Sequence, residues 1–247
     1  WAQKIIKRGF QIFYSPKAAV YHYHGIHQDG NKERLRNVVN IIEKSNKKFI
    51  GKRKINPKNL NICAVIPIKG LCKKLKKDYL LKYTIENLKK SKYVKDIFVS
   101  TDNNKTASIA KSLGAKCPFL RPKRLSNPKT SLKNVQQYNL KMLEKSGIFP
   151  DLFVHVEETF PFRTKELIDG MIIRLLNDGH DSVVASKPEF SWIWKEKRKK
   201  YFHRVDEGDV PRKFRNKTLI GLQGLGCITY PEILRKGKLI GKKIGLF

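Results

Sequence analysis

Apolar and polar positions alternate in a regular order from residue 59 to the end of the chain. Five consecutive apolar residues, Ile62 to Ile66, predict a buried strand of a parallel sheet, because such strands are covered on both faces. Apolar residues at helical spacing follow over Tyr79–Ser91, and the apolar run Asp96–Ser100 predicts a second strand. This part of the chain is therefore expected to alternate between strands and helices.

The same alternation continues through the second half of the chain. A series of this kind folds as a parallel sheet with right-handed crossovers and helices on both faces. We therefore predict an α/β fold of Rossmann-like type with a mostly parallel sheet. Further strands are predicted at Ala115–Leu120, Asp151–Glu157, Asp181–Ser186 and Leu222–Tyr230, and further helices over residues 102–113, 131–146 and 164–177.

Residues 188–217 interrupt this alternation. They contain Trp192, Trp194, two basic clusters and the acidic cluster 206–209. We interpret the segment as an insertion with three alternatives: a lid, a β-excursion over the site, or a dimer arm. A homodimer is thus one expected form of the protein.

A charged stretch with little apolar patterning divides the chain. Residues 44–58 are basic and contain Gly51 and Pro57, which is typical of a linker between domains. We therefore predict an N-terminal part over residues 1–43, a basic linker over 44–58 and a domain over 59–247.

The net charge of +32 comes mostly from lysine, which supplies the majority of the 53 basic residues. Proteins that read nucleic acids rely on arginine forks and interleaved aromatic side chains. Here the lysines are spread over every predicted helix and loop. The pattern favours a general lysine bias and anionic ligands such as nucleoside triphosphates. No specific nucleic acid is expected as a partner, although nucleic-acid binding is a less favoured alternative.

The four cysteines lie far apart and form no C-x-x-C pair, so neither a zinc site nor a disulfide framework is indicated. No apolar run is long enough to span a bilayer. Both observations favour a protein of the reducing cytoplasm without a membrane span.

Charged side chains follow the predicted strands at their carboxyl ends, where sheets of this type bind ligands. A carboxylate and several cations at one edge suit Mg²⁺ and a triphosphate, because Asp102 can bind the metal while lysines neutralise a leaving pyrophosphate. Two alternatives are open: Asp102 only caps the following helix, and Arg163 forms only a structural ion pair. The residues at these strand ends are Lys69, Gly70, Asp102, Arg121, Glu157, Arg163 and Lys187.

The N-terminal part contains a recognisable set of residues: Trp1-Ala2, residues 7–10, Pro16, Ala18 and residues 21–25. Together they resemble the carboxyl end of a family 2 glycosyltransferase catalytic domain. In that family a late histidine can serve the metal–diphosphate site, and the resemblance places His24 there, with His22 second. From the residues alone, two imidazoles on one face of a strand also suit ordinary polar positions. The catalytic acidic residue of that family would lie before Trp1.

Six blocks follow one another in the second part of the chain: VIPIKG at 65–70, YTIENLKKS at 83–91, VSTDN at 99–103, LGAKCPFLRP at 113–122, ETFPFR at 158–163 and DSVVAS at 181–186. In this order they resemble acylneuraminate cytidylyltransferases. The resemblance implies a GT-A-like α/β domain that joins CTP to a sialic or related nonulosonic acid. In that reaction the anomeric hydroxyl attacks the α-phosphate with the help of Mg²⁺. The CMP-sugar and pyrophosphate then leave.

The resemblance also implies roles for individual residues. It makes Lys69 and Arg121 the catalytic residues and Asp102 the metal ligand. The nucleotide-binding residues are then Lys69, Gly70, Arg121 and Ser131, and the sugar-binding residues are Glu157, Arg163 and Lys187.

The chain departs from the family pattern in several places, among them Glu158 where the family has proline and Phe160 where it has serine. The loop after Lys69 is short, and Glu157 stands where the family has glutamine, which puts a negative charge near an anionic sugar. The late D-x-D metal segment would follow Phe247. We expect a fragment of a bifunctional surface-glycan enzyme, in which a glycosyltransferase tail precedes a cytidylyltransferase domain. The rival hypothesis is a non-catalytic, degenerate nucleotide-binding or assembly domain.

Overall fold

The computed structural model describes residues 55–198, 201–206, 210–214 and 218–247. Residues 57–247 form one compact unit. The predictions for residues 1–54, which include the glycosyltransferase tail, His24 and most of the linker, lie outside the described residues. None of the helices described is both long enough and apolar enough to cross a membrane.

Strands and helices alternate along the described chain. The strands are β1 Ile62–Ile68, β2 Lys74–Leu75, β3 Asp78–Tyr79, β4 Val94–Thr101, β5 Leu152–His155, β6 Ser182–Val184, β7 Ser186–Glu189, β8 Trp194–Arg198, β9 Tyr201–Arg204, β10 Thr218–Gly221, β11 Cys227–Thr229 and β12 Ile244–Leu246. The helices are α1 Leu80–Lys89, α2 Asn104–Ser112, α3 Leu132–Lys145, α4 Lys165–Asp178 and α5 Pro231–Arg235.

A six-stranded sheet in the order β12-β6-β11-β5-β1-β4 forms the centre of the unit. Strand β1 runs parallel to β4 and β5, and β12 runs parallel to β6. The predicted α/β fold with a mostly parallel sheet is confirmed.

The apolar core lies on both faces of this sheet because successive side chains of a strand point to opposite faces. On one face Cys63 and Val65 of β1 pack with Leu140 and Leu143 of α3. Helix α3 also contacts α5, whereas α1 contacts α4. The buried stripe of α3 includes two polar residues, Gln136 and Asn139.

Strand β11 is the exception to the parallel arrangement, because it runs antiparallel to both β5 and β6. Strand β10 pairs antiparallel with β7, and a short turn then leads into β11. Strand β7 continues the chain from β6, so its antiparallel pairing with β10 turns the chain back before β11 begins. The chain therefore returns alongside β6 as one long, interrupted hairpin.

The strand predicted at Ala115–Leu120 is also wrong. The segment makes a single parallel bridge, between Lys116 and Phe98 of β4. Pro118 follows at once and has no N–H to continue a ladder.

The interruption predicted at 188–217 contains a β-hairpin, in which β8 pairs antiparallel with β9. A β-excursion therefore describes this segment. Its suggested roles as a lid or a dimer arm stay predictions.

Candidate active site

The carboxyl ends of β4, β1 and β5 lie side by side at one edge of the sheet. The register pairs Ile68 with Thr101 and Val65 with His155. The residues that follow these strands, Lys69 and Gly70, Asp102, and Glu157, therefore share the edge at which sheets of this type bind ligands.

The loop after β1 is tied to the loop after β4 through its backbone. Gly70 N donates to Asp102 Oδ1 at 2.9 Å, and Thr106 Oγ1 donates to Gly70 O at 2.8 Å. Gly70 adopts a φ of 64°, which a residue with a Cβ rarely tolerates. The short loop is thus held open in one conformation at the edge of the sheet.

Asp102 does not cap helix α2. The cap is its neighbour Asn103, whose side chain accepts a hydrogen bond from Thr106 N at 3.0 Å. The alternative in which Asp102 serves only as a helix cap is therefore wrong. The carboxylate is used to hold Gly70.

Arg121 is buried beneath Gly70 and Asp102, and 4% of its surface is exposed. Its guanidinium donates to Ile68 O at 2.9 Å, to Ser100 O at 3.2 Å and to Ser126 Oγ at 3.1 Å. Nη2 also lies 3.9 Å from Asp102 Oδ1. The geometry suits a residue that fixes the ends of β1 and β4, and the direct catalytic role stays a prediction.

The charge of Asp102 is favoured by these partners. Burial alone would raise the pKa of Asp102, but the N–H of Gly70 and the guanidinium of Arg121 outweigh burial and lower it below 3.8. The carboxylate is therefore ionised at neutral pH.

Lys69 and Ser131, two further residues predicted at the nucleotide, are both exposed. Ser131 caps α3, where its side chain accepts from Asn134 N at 3.4 Å. Their contacts with a nucleotide stay predictions.

Arg163 is buried on the other side of the site, where it binds backbone oxygens. It donates to Leu225 O and Gly224 O, both at 2.6 Å, and also to Glu157 O and Thr84 Oγ1. Burial lowers the pKa of Arg163 to about 10, although Glu157 opposes the shift. Arg163 thus joins the loop after β5 to the turn before β11, and its predicted contact with a sugar is not supported by this geometry.

Glu157 is half-buried and packs over Gly224. Glu157 N donates to Gly224 O at 2.8 Å, and Thr159 Oγ1 donates to Glu157 Oε2 at 3.3 Å. His155 Nε2 lies 3.5 Å from Glu157 Oε1. The nearby imidazole of His155 is the largest influence on the pKa of Glu157, and with Thr159 and Arg163 it lowers that pKa against the effect of burial.

Lys187 lies on β7, outside the six-stranded sheet, and is exposed. Its Nζ is 3.5 Å from Glu189 Oε2. The structure does not bring it into contact with Glu157 or Arg163 in any described hydrogen bond or ion pair, and its predicted sugar contact stays a prediction.

The described residues contain no group of three or more His, Cys, Asp or Glu side chains able to hold a metal ion. Mg²⁺ is often bound by one or two carboxylates with phosphate oxygens and water. Asp102 fits that minimal arrangement, since it is ionised and lies at the ligand-binding edge.

One acidic and one basic residue of this region, Glu158 and His155, are not identified as site residues by the sequence pattern. Glu158 is buried, and its Oε1 accepts from Lys73 N at 3.2 Å in the loop after β1. His155 is buried within β5. The sequence offers one signal for them: His155 lies within an otherwise apolar strand, and Glu158 follows shortly after that strand.

Comparison with known proteins agrees with this geometry. The cytidylyltransferase family profile matches residues 66–204. Two pseudaminic acid cytidylyltransferases of Campylobacter jejuni subsp. jejuni, from serotypes O:2 and O:23/36, are 28% and 29% identical over 116 residues. These matches cover 44% of this chain and 50% of each relative, so the chain spans about half the length of the curated relatives it matches.

Solved structures share the fold. A CMP:2-keto-3-deoxy-manno-octonic acid synthetase complexed with CTP has a TM-score of 0.52 at 14% identity, over 71% of this chain and 76% of that one. A 4-diphosphocytidyl-2C-methyl-D-erythritol synthase from Anaerococcus prevotii has a TM-score of 0.55 at 12% identity, over 76% and 86%. Because the family profile covers more than half of its length, this chain belongs to the cytidylyltransferase family, whose members are nucleotidyltransferases.

Proposed function

We propose that this chain transfers CMP from CTP to an acidic sugar of the nonulosonic class, as part of an enzyme that makes nucleotide sugars for surface glycans. The observation that carries the proposal is the edge at which Gly70, Asp102 and Glu157 meet, within a chain similar to pseudaminic acid cytidylyltransferases. The proposed partners are CTP and the sugar acid.

The nucleotide side of the site is the pair of loops after β1 and β4. Lys69 is exposed beside Gly70 and supplies positive charge for the phosphates. Arg121 acts through Asp102 and the strand ends that it holds, since its guanidinium is buried among their oxygens. Asp102 would hold Mg²⁺, which when bound neutralises triphosphate charge and favours departure of pyrophosphate.

The acceptor side is the loop after β5 with the turn around Gly224. An anomeric hydroxyl placed there attacks the α-phosphate in line with the leaving pyrophosphate, and positioning of both groups supplies much of the rate. Glu157 faces this side as a hydrogen-bond acceptor. Arg163 keeps the two backbone segments together.

Calorimetric titration with CTP, and with ATP as comparison, tests the nucleotide side. In Mg²⁺ and moderate salt we expect CTP-selective binding that Lys69→Ala weakens about tenfold through loss of a phosphate contact. Lys95→Ala is the matched control, because Lys95 is exposed near the opposite end of β4. Release of pyrophosphate with pseudaminic acid or N-acetylneuraminic acid as acceptor then tests the transfer.

A non-catalytic, degenerate domain is the second candidate, and the short loop after Lys69 favours it. It predicts equal, weak binding of CTP and ATP that disappears as salt is added, because only general charge attraction would remain. That result would contradict the proposed transferase.

The association with a glycosyltransferase part over residues 1–43 and the cytoplasmic location belong to the same proposal. They are supported by the sequence resemblance and by the cysteine pattern. An assay for sugar transfer to a glycan acceptor, made on a chain that includes the acidic residue expected before Trp1, tests the first of these.

A further inference from the structure

A chain of buried polar side chains runs beneath the ligand-binding edge, from β4 across α3 to β5. Ser100 Oγ donates to Asn139 Oδ1 at 2.6 Å, and Asn139 Nδ2 donates to Gln136 Oε1 at 2.9 Å. Gln136 Nε2 lies 2.5 Å from His155 Nδ1. All four residues have at most 1% of their surface exposed. We name them the Ser100–His155 chain.

The polarity of this chain fixes the tautomer of His155. Each amide accepts with its oxygen and donates with its nitrogen, so Gln136 donates to Nδ1 of the imidazole. A neutral imidazole that accepts at Nδ1 carries its proton on Nε2. The reverse polarity would place a ring lone pair against a carboxylate oxygen of Glu157, which is unfavourable.

The chain ends at Glu157. His155 Nε2 is buried and has no hydrogen-bond partner among the described residues, and Glu157 Oε1 lies 3.5 Å from it. A buried polar chain is costly unless every member is satisfied. Here the last donor lacks a partner, and the ionised carboxylate of Glu157 is the acceptor placed to satisfy it by a small rotation. Glu157 is partly exposed, whereas the four residues of the Ser100–His155 chain are buried.

We propose that His155 is a positioning residue that keeps Glu157 ionised and oriented, so that Glu157 selects a second substrate with a hydroxyl or amide N–H at this place. The proposal rests on the proposed function. A carboxylate only accepts, whereas an amide in the same place would both donate and accept. The carboxylate of the sugar acid must therefore bind elsewhere, and a ring hydroxyl or an acylamino N–H contacts Glu157.

The groups around Glu157 agree with this role. The groups that face it are His155 from β5, the guanidinium of Arg163 and the hydroxyl of Thr159. Together they lower the pKa of Glu157, with His155 as the largest influence. A substrate donor therefore meets a carboxylate that is already ionised at neutral pH.

Long-range proton–nitrogen NMR of the imidazoles in the full 247-residue chain tests the positioning directly, without any substrate. The His155 signals are assigned by their loss in His155→Gln. We expect a single neutral tautomer with the proton on Nε2. A proton on Nδ1, in the other tautomer or in an imidazolium, would overturn the positioning role.

Steady-state kinetics with CTP and a sugar acid, pseudaminic acid or N-acetylneuraminic acid, tests the selection. We expect Glu157→Gln and His155→Gln to raise KM for the sugar acid about tenfold and to change KM for CTP less than twofold. In His155→Gln the acid limb of the pH profile of kcat/KM for the sugar acid should move to higher pH, because Glu157 loses the neighbour that lowers its pKa. Glu86→Gln, which removes an exposed carboxylate of α1, should change neither of the two KM values.

The outcomes separate the two proposals. An equal rise in both KM values, or no rise in either, would overturn the selection by Glu157. No turnover by the unaltered chain with either sugar acid would overturn the proposed function and the selection with it. The NMR result decides independently whether His155 positions Glu157.

Discussion

The carboxylate of Asp102 accepts a hydrogen bond from the backbone N–H of Gly70 at 2.9 Å, and the same oxygen lies 3.9 Å from Arg121 Nη2. One side chain thus joins the loop after β1 to a buried cation. We expect the stability of the unit and the shape of its nucleotide side to depend on this contact.

Asp102→Asn should lower the free energy of unfolding by about 1–3 kcal/mol at pH 7, because it leaves Arg121 without its counter-charge. The pKa of Asp102 is lowered in the folded state, so its contribution is present above the ordinary value of 3.8 and is lost as pH falls further. Urea unfolding at pH 7 and pH 3 measures the free energy of unfolding of both proteins. The difference in this free energy between Asp102→Asn and the wild type should be smaller at pH 3. An equal difference at both pH values would contradict the explanation.

Arg163→Gln should be among the most damaging single changes, since it leaves several buried carbonyl oxygens without a donor. A loss of about 3–5 kcal/mol in urea unfolding is expected. Arg174→Gln is the matched control, because Arg174 is exposed and forms a surface ion pair with Asp178 at 3.5 Å. If both variants lose similar stability, Arg163 does not hold the two segments as described.

Glu158→Gln should stabilise the protein at high pH. Burial raises the pKa of Glu158 against the opposing N–H of Lys73, and its Oε2 has no hydrogen-bond partner among the described residues. A carboxyl whose pKa is raised on folding destabilises the folded state once it ionises, as pH rises above the ordinary 4.5.

Thermal unfolding checks this expectation. The Tm of Glu158→Gln should exceed that of the wild type by about 2–4 °C at pH 8 and should equal it at pH 4. Glu86→Gln serves as the control for an exposed carboxylate. A lower Tm of Glu158→Gln at pH 8 would show that its ionised form has a partner in the protein.

Gly224→Ala should weaken the acceptor side. An added Cβ would lie 2.7 Å from Phe160 Cε2 and 2.8 Å from Glu157 Cδ, so Glu157 must move. We expect kcat/KM for the sugar acid to fall about 10–100-fold, with CTP binding unchanged in calorimetry. At Gly221 the nearest atom, Val184 Cγ1, would be 3.6 Å away, and Gly221→Ala should therefore have little effect.

The β8–β9 hairpin offers a test of the predicted homodimer. Trp194 and Phe202 lie on the same face of the hairpin and are 53% and 62% exposed. Exposed aromatic clusters mark interaction surfaces. Sedimentation at micromolar concentration should show a dimer that Trp194→Ala with Phe202→Ala converts to a monomer, and a monomeric wild type would contradict the prediction.

The sequence predicted the fold better than the site. The strand–helix alternation and the helices α1 to α4 follow from local periodicity, which the chain carries within each segment. The direction of β11 depends on the pairing of β10 with β7, a contact made outside the main sheet. Local patterns do not contain that information.

The same limit applies to individual side chains. Asp102 and Asn103 are both plausible helix caps, and the approach of the Gly70 loop decides between them. Arg121 was placed at the site, but its burial depends on Ser126 and two strand ends. The role of His155 depends on Gln136, a residue on a helix that packs beneath the sheet.

The contacts of Arg163 also set an order in which the site is completed. The contacts that hold Asp102 and Arg121 on the nucleotide side are made between Ile68 and Ser126. The acceptor side needs the carbonyls of Gly224 and Leu225, which come much later in the chain. During synthesis from the N-terminus, the ribosome therefore delivers the residues that would hold a nucleotide well before those that would hold its acceptor.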